Sequence, residues 1–163
     1  MKKGLFRLPP QVQCISVARK ILISGPRGKI FIYLPVKFVQ RGCTICFSRS
    51  LKNSEMVLFK QAIYGVSLLY KISLILQGIG YKVDNQDNTL LLKVGYSHII
   101  YISVPDDIKV LLHKNNIVCY SARLITLCNF VTKIRKTRFP DVYKGGGILY
   151  SGEVIKKKEG KKT

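Results

Sequence analysis

Two stretches, "ILISGPRGKIFIYLPVKFVQ" at residues 21–40 and "LLLKVGYSHIIYISVPDDIKV" at residues 90–110, share one grammar: an apolar strand-like run, a glycine-containing turn, a second strand-like run, a proline and a third run. Gly25 to Pro35 and Gly95 to Pro105 are both ten positions apart. β-Branched and aromatic residues bounded by Gly and Pro read as strands joined by tight turns, and recurrence of the pattern at this distance reads as an internal repeat. Each block is followed by a helical stripe. In the first, Met56, Phe59, Ile63, Val66 and Tyr70 recur at steps of three and four after a Ser54 cap; in the second, Ile117, Tyr120, Leu124, Leu127, Val131 and Ile134 do so after Asn115 or Asn116. Both stripes are expected to pack on the strands. The second helix is expected to stop near Lys136, because Pro140 cannot continue it and disfavours helix at Phe139.

The pattern predicts an α+β chain of two internally repeated subdomains, each a small, largely antiparallel sheet packed against one helix, with a basic C-terminal tail. The expected boundaries are 8–71 for the first repeat, 72–150 for the second and 151–163 for the tail. The nearly uncharged stretch "AIYGVSLLYKISLILQGIG" divides into a helix-period half and a strand-like half around Lys71 and ends beyond Gln77, so it is read as soluble core and not as a membrane span. The start, "MKKGLFRLPP", lacks the apolar run of a secretory signal.

Charge points to the partner. With 28 Lys and Arg against 8 Asp and Glu, the net charge is +20, which a folded chain tolerates best beside a polyanion. From Arg135 onward there are nine basic residues against three acidic ones. The final stretch, "FPDVYKGGGILYSGEVIKKKEGKKT" at 139–163, has too few apolar residues to build a core, so ordering by an outside partner is expected. Glycines let a main chain approach a phosphate or sugar edge, Tyr143 offers a ring to stack on a base, and lysines neutralise phosphate.

Other chemistries find little support. Cys43 and Cys46 in "RGCTICFS" sit on an alternating, strand-like run that places residues three apart on opposite faces; Cys119 and Cys128 lie nine apart in a helical pattern. The five cysteines are therefore read as buried free thiols of a reducing compartment, with no metal site and no cofactor. His98 and His113 have no carboxylate or nucleophile at a recurrent spacing, Asp106 and Asp107 read as a turn after Pro105, and the glycine run 145–147 lacks the Lys-Ser/Thr of a phosphate loop. No enzymatic activity and no small-molecule substrate are expected.

The tail, preceded by "IRKTR", resembles the C-terminal signature of the bacterial-type family of ribosomal large-subunit protein six, whose usual form reads Pro-Glu-Pro-Tyr-Lys-Gly-Lys-Gly and then a hydrophobic residue. "LQGIGYKV", "DNTLLLKVGYSH" and "LPVKF" after "GPRGKI" are similar to further parts of that family. The resemblance implies a duplicated two-domain protein that binds large-subunit rRNA mainly through its second domain and tail, near the docking region of translational GTPases, with neighbouring ribosomal proteins as further partners and no membrane insertion. Carried over, Pro140, Asp141, Tyr143, Lys144, Gly145, Gly147 and Ile148 match the signature, and Arg135, Arg138 and Lys156 to Lys158 match its basic flanks. The expected rRNA-binding set is Arg135, Lys136, Arg138, Tyr143, Lys144, Gly145, Gly147, Lys156, Lys157, Lys158, Lys161 and Lys162. Gly146 stands where the family carries lysine, and Val142 where it carries its second proline. A branched side chain at Gly145 or Gly147 is expected to block RNA without changing stability. Abundant Ile, Lys, Tyr and Cys, with a fold starting near Met1, point to an organellar ribosome, a mitochondrial one ahead of a plastid or bacterial one. The remaining alternatives are a free-standing RNA-binding factor of the same fold and a membrane-surface protein using "KKKEGKK".

Overall fold

The computed structural model describes residues 5–17 and 20–160. Its chain forms two compact units: one runs up to Tyr70 and includes Ala122–Leu124, and the other comprises Lys71–Ser121 and the chain from Ile125 onward.

The first unit contains strands β1 (Leu5–Arg7), β2 (Gln13–Val17), β3 (Lys20–Gly25), β4 (Gly28–Tyr33), β5 (Phe38–Arg41) and β6 (Thr44–Phe47), then helix α1 (Asn53–Leu68). Strands β2, β3 and β4 make an antiparallel meander in that order, and β1-β6-β5 make a second sheet. Alternation decides which side is buried. Ile21, Ile23 and Ile30 turn inward from the meander and meet Phe47, Phe59 and Val66 in one apolar cluster. Phe6, Phe47 and Phe59 meet edge to face, with centroids 5.3 Å apart for Phe47 and Phe59 and 5.6 Å for Phe6 and Phe59. Helix α1 starts two residues earlier than a Ser54 cap implies. Glu55 accepts the Lys52 N–H at 2.9 Å and is gripped by Arg49 at 2.8 and 3.1 Å, so the first turn is fixed from Lys52. Tyr70, the last member of the predicted stripe, lies outside the helix at the start of a strand.

The second unit repeats the plan. Apart from the end residues Tyr70 and Leu124, which group with the first unit, it contains β7 (Tyr70–Gln77), β8 (Lys82–Gln86), β9 (Thr89–Lys93), β10 (Ile100–Ser103), β11 (Ile108–His113) and β12 (Asn116–Ser121), then helix α2 (Leu124–Thr137) and strand β13 (Gly147–Tyr150). The meander β8-β9-β10 matches β2-β3-β4, and the order β11-β12-β7 matches β5-β6-β1. Val83, Leu90, Leu92, Ile102, Ile117, Leu127, Val131 and Ile134 are among its buried apolar residues, along with Leu74 and Leu76.

Two sequence expectations are corrected here. The second helix begins at Leu124, not at Ile117, because residues 116–121 pair with β11 as the return strand of a hairpin whose turn is Lys114–Asn115. The run "NIVCYS" carries β-branched and aromatic residues, and its three-residue spacing from Ile117 to Tyr120 coincided with a helical period. Cys119 is therefore a strand residue. Nor are all the thiols buried: Cys14 and Cys119 are, with burial pushing both thiols up to about 11, whereas Cys43 and Cys128 are exposed. Among the described residues no group of His, Cys, Asp or Glu is arranged to hold a metal, and no helix is long and apolar enough to cross a membrane.

The largest departure is the tail. Strand β13 lies against β7 as a fourth strand, with Gly147 opposite Gln77 and Tyr150 opposite Leu74, and Ile148 and Leu149 are buried. Part of the segment expected to need an outside partner is thus ordered by its own chain.

Candidate nucleic-acid interface

Helix α2 buries Leu127, Phe130, Val131 and Ile134 and ends with Arg135 and Lys136 in its last turn, where cations complement the carbonyl end of the helix dipole. The Thr137 hydroxyl donates to the Ile134 carbonyl at 2.6 Å, and Pro140 forbids continuation. A closed loop follows. The Asp141 N–H donates to the Gly146 carbonyl and the Gly145 N–H to the Asp141 carbonyl, both at 2.8 Å, while the Asp141 carboxylate accepts the N–H groups of Tyr143 at 3.0 Å and Lys144 at 3.3 Å. These bonds turn Tyr143 outward at the loop tip, 58% exposed.

The two N–H groups hold the Asp141 carboxyl below its ordinary value of 3.8. A carboxyl depressed on folding contributes its stabilisation above the unfolded value and loses it as the pH falls through the lower folded value. The amide resonances of Tyr143 and Lys144 are therefore expected to stay fixed from neutral pH down to the ordinary Asp range and to move only below it; movement near pH 5 would refute this anchoring.

Glycine is required here at Gly145 and Gly147, each for its own reason. Gly145 has φ +74°, the left-handed region, and a side chain there would meet only the flexible end of Lys157, at 3.1 Å from its Cε. Gly147 has φ +148° and is buried; a Cβ would lie 2.5 Å from the Pro140 Cα and 2.8 Å from the Phe139 carbonyl oxygen. The protein itself therefore leaves no room for a side chain at Gly147, so a branched side chain there is expected to lower stability and not to leave it unchanged.

The tail folds back onto this loop. The Lys158 N–H donates to the Val142 carbonyl at 3.0 Å, and Lys157 lies over Gly145. Upstream, Glu153 is held from three directions: Arg135 forms an ion pair with one carboxylate oxygen, the Tyr150 N–H donates to the other at 3.0 Å, and the Glu153 N–H donates to the Tyr150 carbonyl at 3.0 Å. The Arg135 guanidinium also lies 4.6 Å from the centroid of the Tyr150 ring. Arg135, predicted as a phosphate contact, is thus committed to holding the tail. Arg138 rests on the Tyr96 ring at 5.1 Å, with the Tyr81 phenol as a further polar neighbour, and the Tyr96 hydroxyl donates to the Thr137 carbonyl at 3.1 Å. Tyr81 and Tyr96 were not singled out from the sequence, because the turns that carry them lie more than forty residues before Arg138 and share no pattern with it.

Of the predicted residues, Lys136 at the end of α2, Tyr143 and Lys144 in the loop, and Lys156, Lys157 and Lys158 on the tail that returns to the loop are exposed. Lys161 and Lys162 lie outside the described residues. Residues 77–151 match the family model described as Ribosomal protein L6. The chain is 34% identical over 170 residues to the large ribosomal subunit protein uL6 of Trichormus variabilis, covering 98% of this chain and 93% of that protein, and 35% identical over 166 residues to that of Mycoplasma genitalium, covering 94% and 90%. A third relative, the uL6 of Lactobacillus delbrueckii, is 31% identical over 166 residues, with 96% and 94% covered. The chain belongs to the ribosomal protein L6 family. The duplicated α+β architecture agrees with that of the L6 family, and an L6 protein is a structural component, not an enzyme. The L6 match begins at Gln77 and ends at Ser151, and so takes in the loop and β13 but stops before Lys156–Lys158.

Proposed function

We propose that this L6-family chain is a structural component of the large ribosomal subunit whose loop and returning tail grip large-subunit rRNA near the place where translational GTPases dock. The carrying observation is the bond from the Lys158 N–H to the Val142 carbonyl, which returns the tail with its exposed Lys156–Lys158 to the loop that carries the outward Tyr143 and Lys144. In this reading the lysines neutralise phosphates, Tyr143 stacks on an unpaired base or ribose, and Asp141, whose carboxylate is occupied by two N–H groups, shapes the loop without facing phosphate. The second repeat, 72–150, and the tail, 151–163, carry the main contact, and neighbouring ribosomal proteins adjoin it. Arg138, on the Tyr96 ring, extends the basic surface.

Binding of the full chain to a large-subunit rRNA fragment is expected to weaken steeply with salt, with a log-log slope of several units, since each neutralised phosphate contributes about 0.9 on duplex and about 0.7 on single strands. A slope near zero would remove the mechanism. The Lys-, Ile-, Tyr- and Cys-rich composition supports a mitochondrial ribosome ahead of a plastid or bacterial one, although the relatives named above are bacterial. Co-sedimentation with large subunits from purified mitochondria tests that assignment; recovery from plastid or bacterial ribosomes alone overturns it.

A further inference from the structure

The outer face of the first meander is more apolar than that of the second. Register places Ile15, Leu22 and Phe31 in one cross-strand row and Val17, Lys20 and Tyr33 in the next, on the side facing away from Ile21 and Ile23. Ile15, Val17, Phe31 and Tyr33 are 51%, 48%, 56% and 61% exposed, so four large apolar groups share one open sheet face. In the second unit the matching rows are Asp84, Leu91 and Tyr101, and Gln86, Thr89 and Ser103. The duplicated fold therefore tolerates Asp84, Gln86 and Ser103 where the first unit has Ile15, Val17 and Tyr33, and those three apolar groups are not a requirement of folding.

Charge selects the occupant. Up to Tyr70 the sequence has twelve Lys and Arg but a single acidic residue, Glu55, and Glu55 is already paired with Arg49. Lys20 lies opposite both Val17 and Tyr33, and Lys29 precedes Phe31 on the same face of β4. Phe31 and Tyr33 are alternate residues of one strand, so their rings stand about 6.8 Å apart along it, a span that two successive splayed nucleotides can follow. A polypeptide without acidic side chains would cover the apolar rows but leave the cations uncompensated, whereas an unpaired RNA strand supplies both bases to stack on the rings and a phosphate at every step to pair with the lysines.

We propose that the β2-β3-β4 face is a second RNA site, which stacks two unpaired bases on Phe31 and Tyr33 and holds their phosphates with Lys20 and Lys29. It adds a contact to the reading above and rests on it only for the presence of RNA nearby. The test uses the full chain with an unpaired oligouridine decamer and an RNA duplex of equal length. Phe31→Ala combined with Tyr33→Ala is expected to weaken decamer binding about tenfold or more, to leave duplex binding and thermal melting unchanged, and Phe31→Tyr is expected to restore the first ring. Ultraviolet crosslinking of the wild type should join the decamer to the peptide around residues 29–33, a readout that does not depend on any variant folding. Equal loss of decamer and duplex, no loss of either, or crosslinks in whole large subunits that join this face to another polypeptide would each overturn the site. The main reading is tested separately, since loss of rRNA binding on removing Lys156–Lys158 does not involve this face.

Discussion

Gly147→Val is expected to lower the melting temperature of the isolated protein by about 10 °C or more, before any question of RNA arises. The side chain must enter space held by the Pro140 Cα at 2.5 Å and the Phe139 carbonyl oxygen at 2.8 Å, and it must do so at φ +148°. Neither neighbour is a rotatable side chain. Relief requires the loop to move away from β13, which breaks the bond from the Ile148 N–H to the Arg138 carbonyl, 3.1 Å, and opens the pairing with β7. Overpacking against backbone and a strained φ each cost about 1–3 kcal/mol, and a unit of this size melts several degrees lower for each kcal/mol lost. Gly145→Ala is the contrast: the left-handed φ costs about 1–2 kcal/mol, while the Lys157 chain can swing aside. Differential scanning calorimetry of both variants decides the matter, and a Gly147→Val protein that melts like the wild type would return that glycine to the RNA.

Why the two glycines looked alike in the sequence is instructive. Both sit in one run, and a glycine's local signal reports only that a side chain is unwelcome, not what occupies the space. Phe139 and Pro140 are near in sequence, but the closure that brings them onto Gly147 depends on β13 pairing with β7 some seventy residues earlier. The four residues "GILY" are too short to announce a strand beside so many lysines. The repeat was legible because its evidence is periodic and local: alternation, turn residues and the equal ten-residue spacings all survive without tertiary information. Helix α2 shows the limit, since β12 imitated a helical period over one turn and only the partner strand β11 resolves it. Arg135 shows the same limit for the site. Its charge and position in "IRKTR" were visible, whereas Glu153, eighteen positions on, is brought to it by the fold.

That distinction between committed and available cations sets the strongest binding prediction. Lys136, Lys144, Lys156, Lys157 and Lys158 are all exposed, while Arg135 is paired with Glu153 and lies against Tyr150. Replacing the five lysines with alanine is expected to shallow the log-log salt slope by about 3.5–4.5 units and to weaken rRNA binding about 10³-fold near 0.15 M salt, because each released counterion contributes the same logarithmic increment. Melting should hardly change, as little apolar surface is buried by these side chains. The five-arginine replacement should keep the slope, since charge and not lysine geometry carries this part of the binding. Arg135→Met should behave in the opposite sense. It leaves Glu153 without its cation and loosens the tail, so the melting temperature falls and affinity drops through poorer ordering of Lys156–Lys158, while the slope changes by less than about one unit. Filter binding at four salt concentrations, read beside thermal melting of the same samples, separates the two behaviours. A five-alanine variant with the wild-type slope would show that the loop and tail lysines face solvent in the ribosome, and the phosphate contacts would then have to be sought elsewhere on the chain.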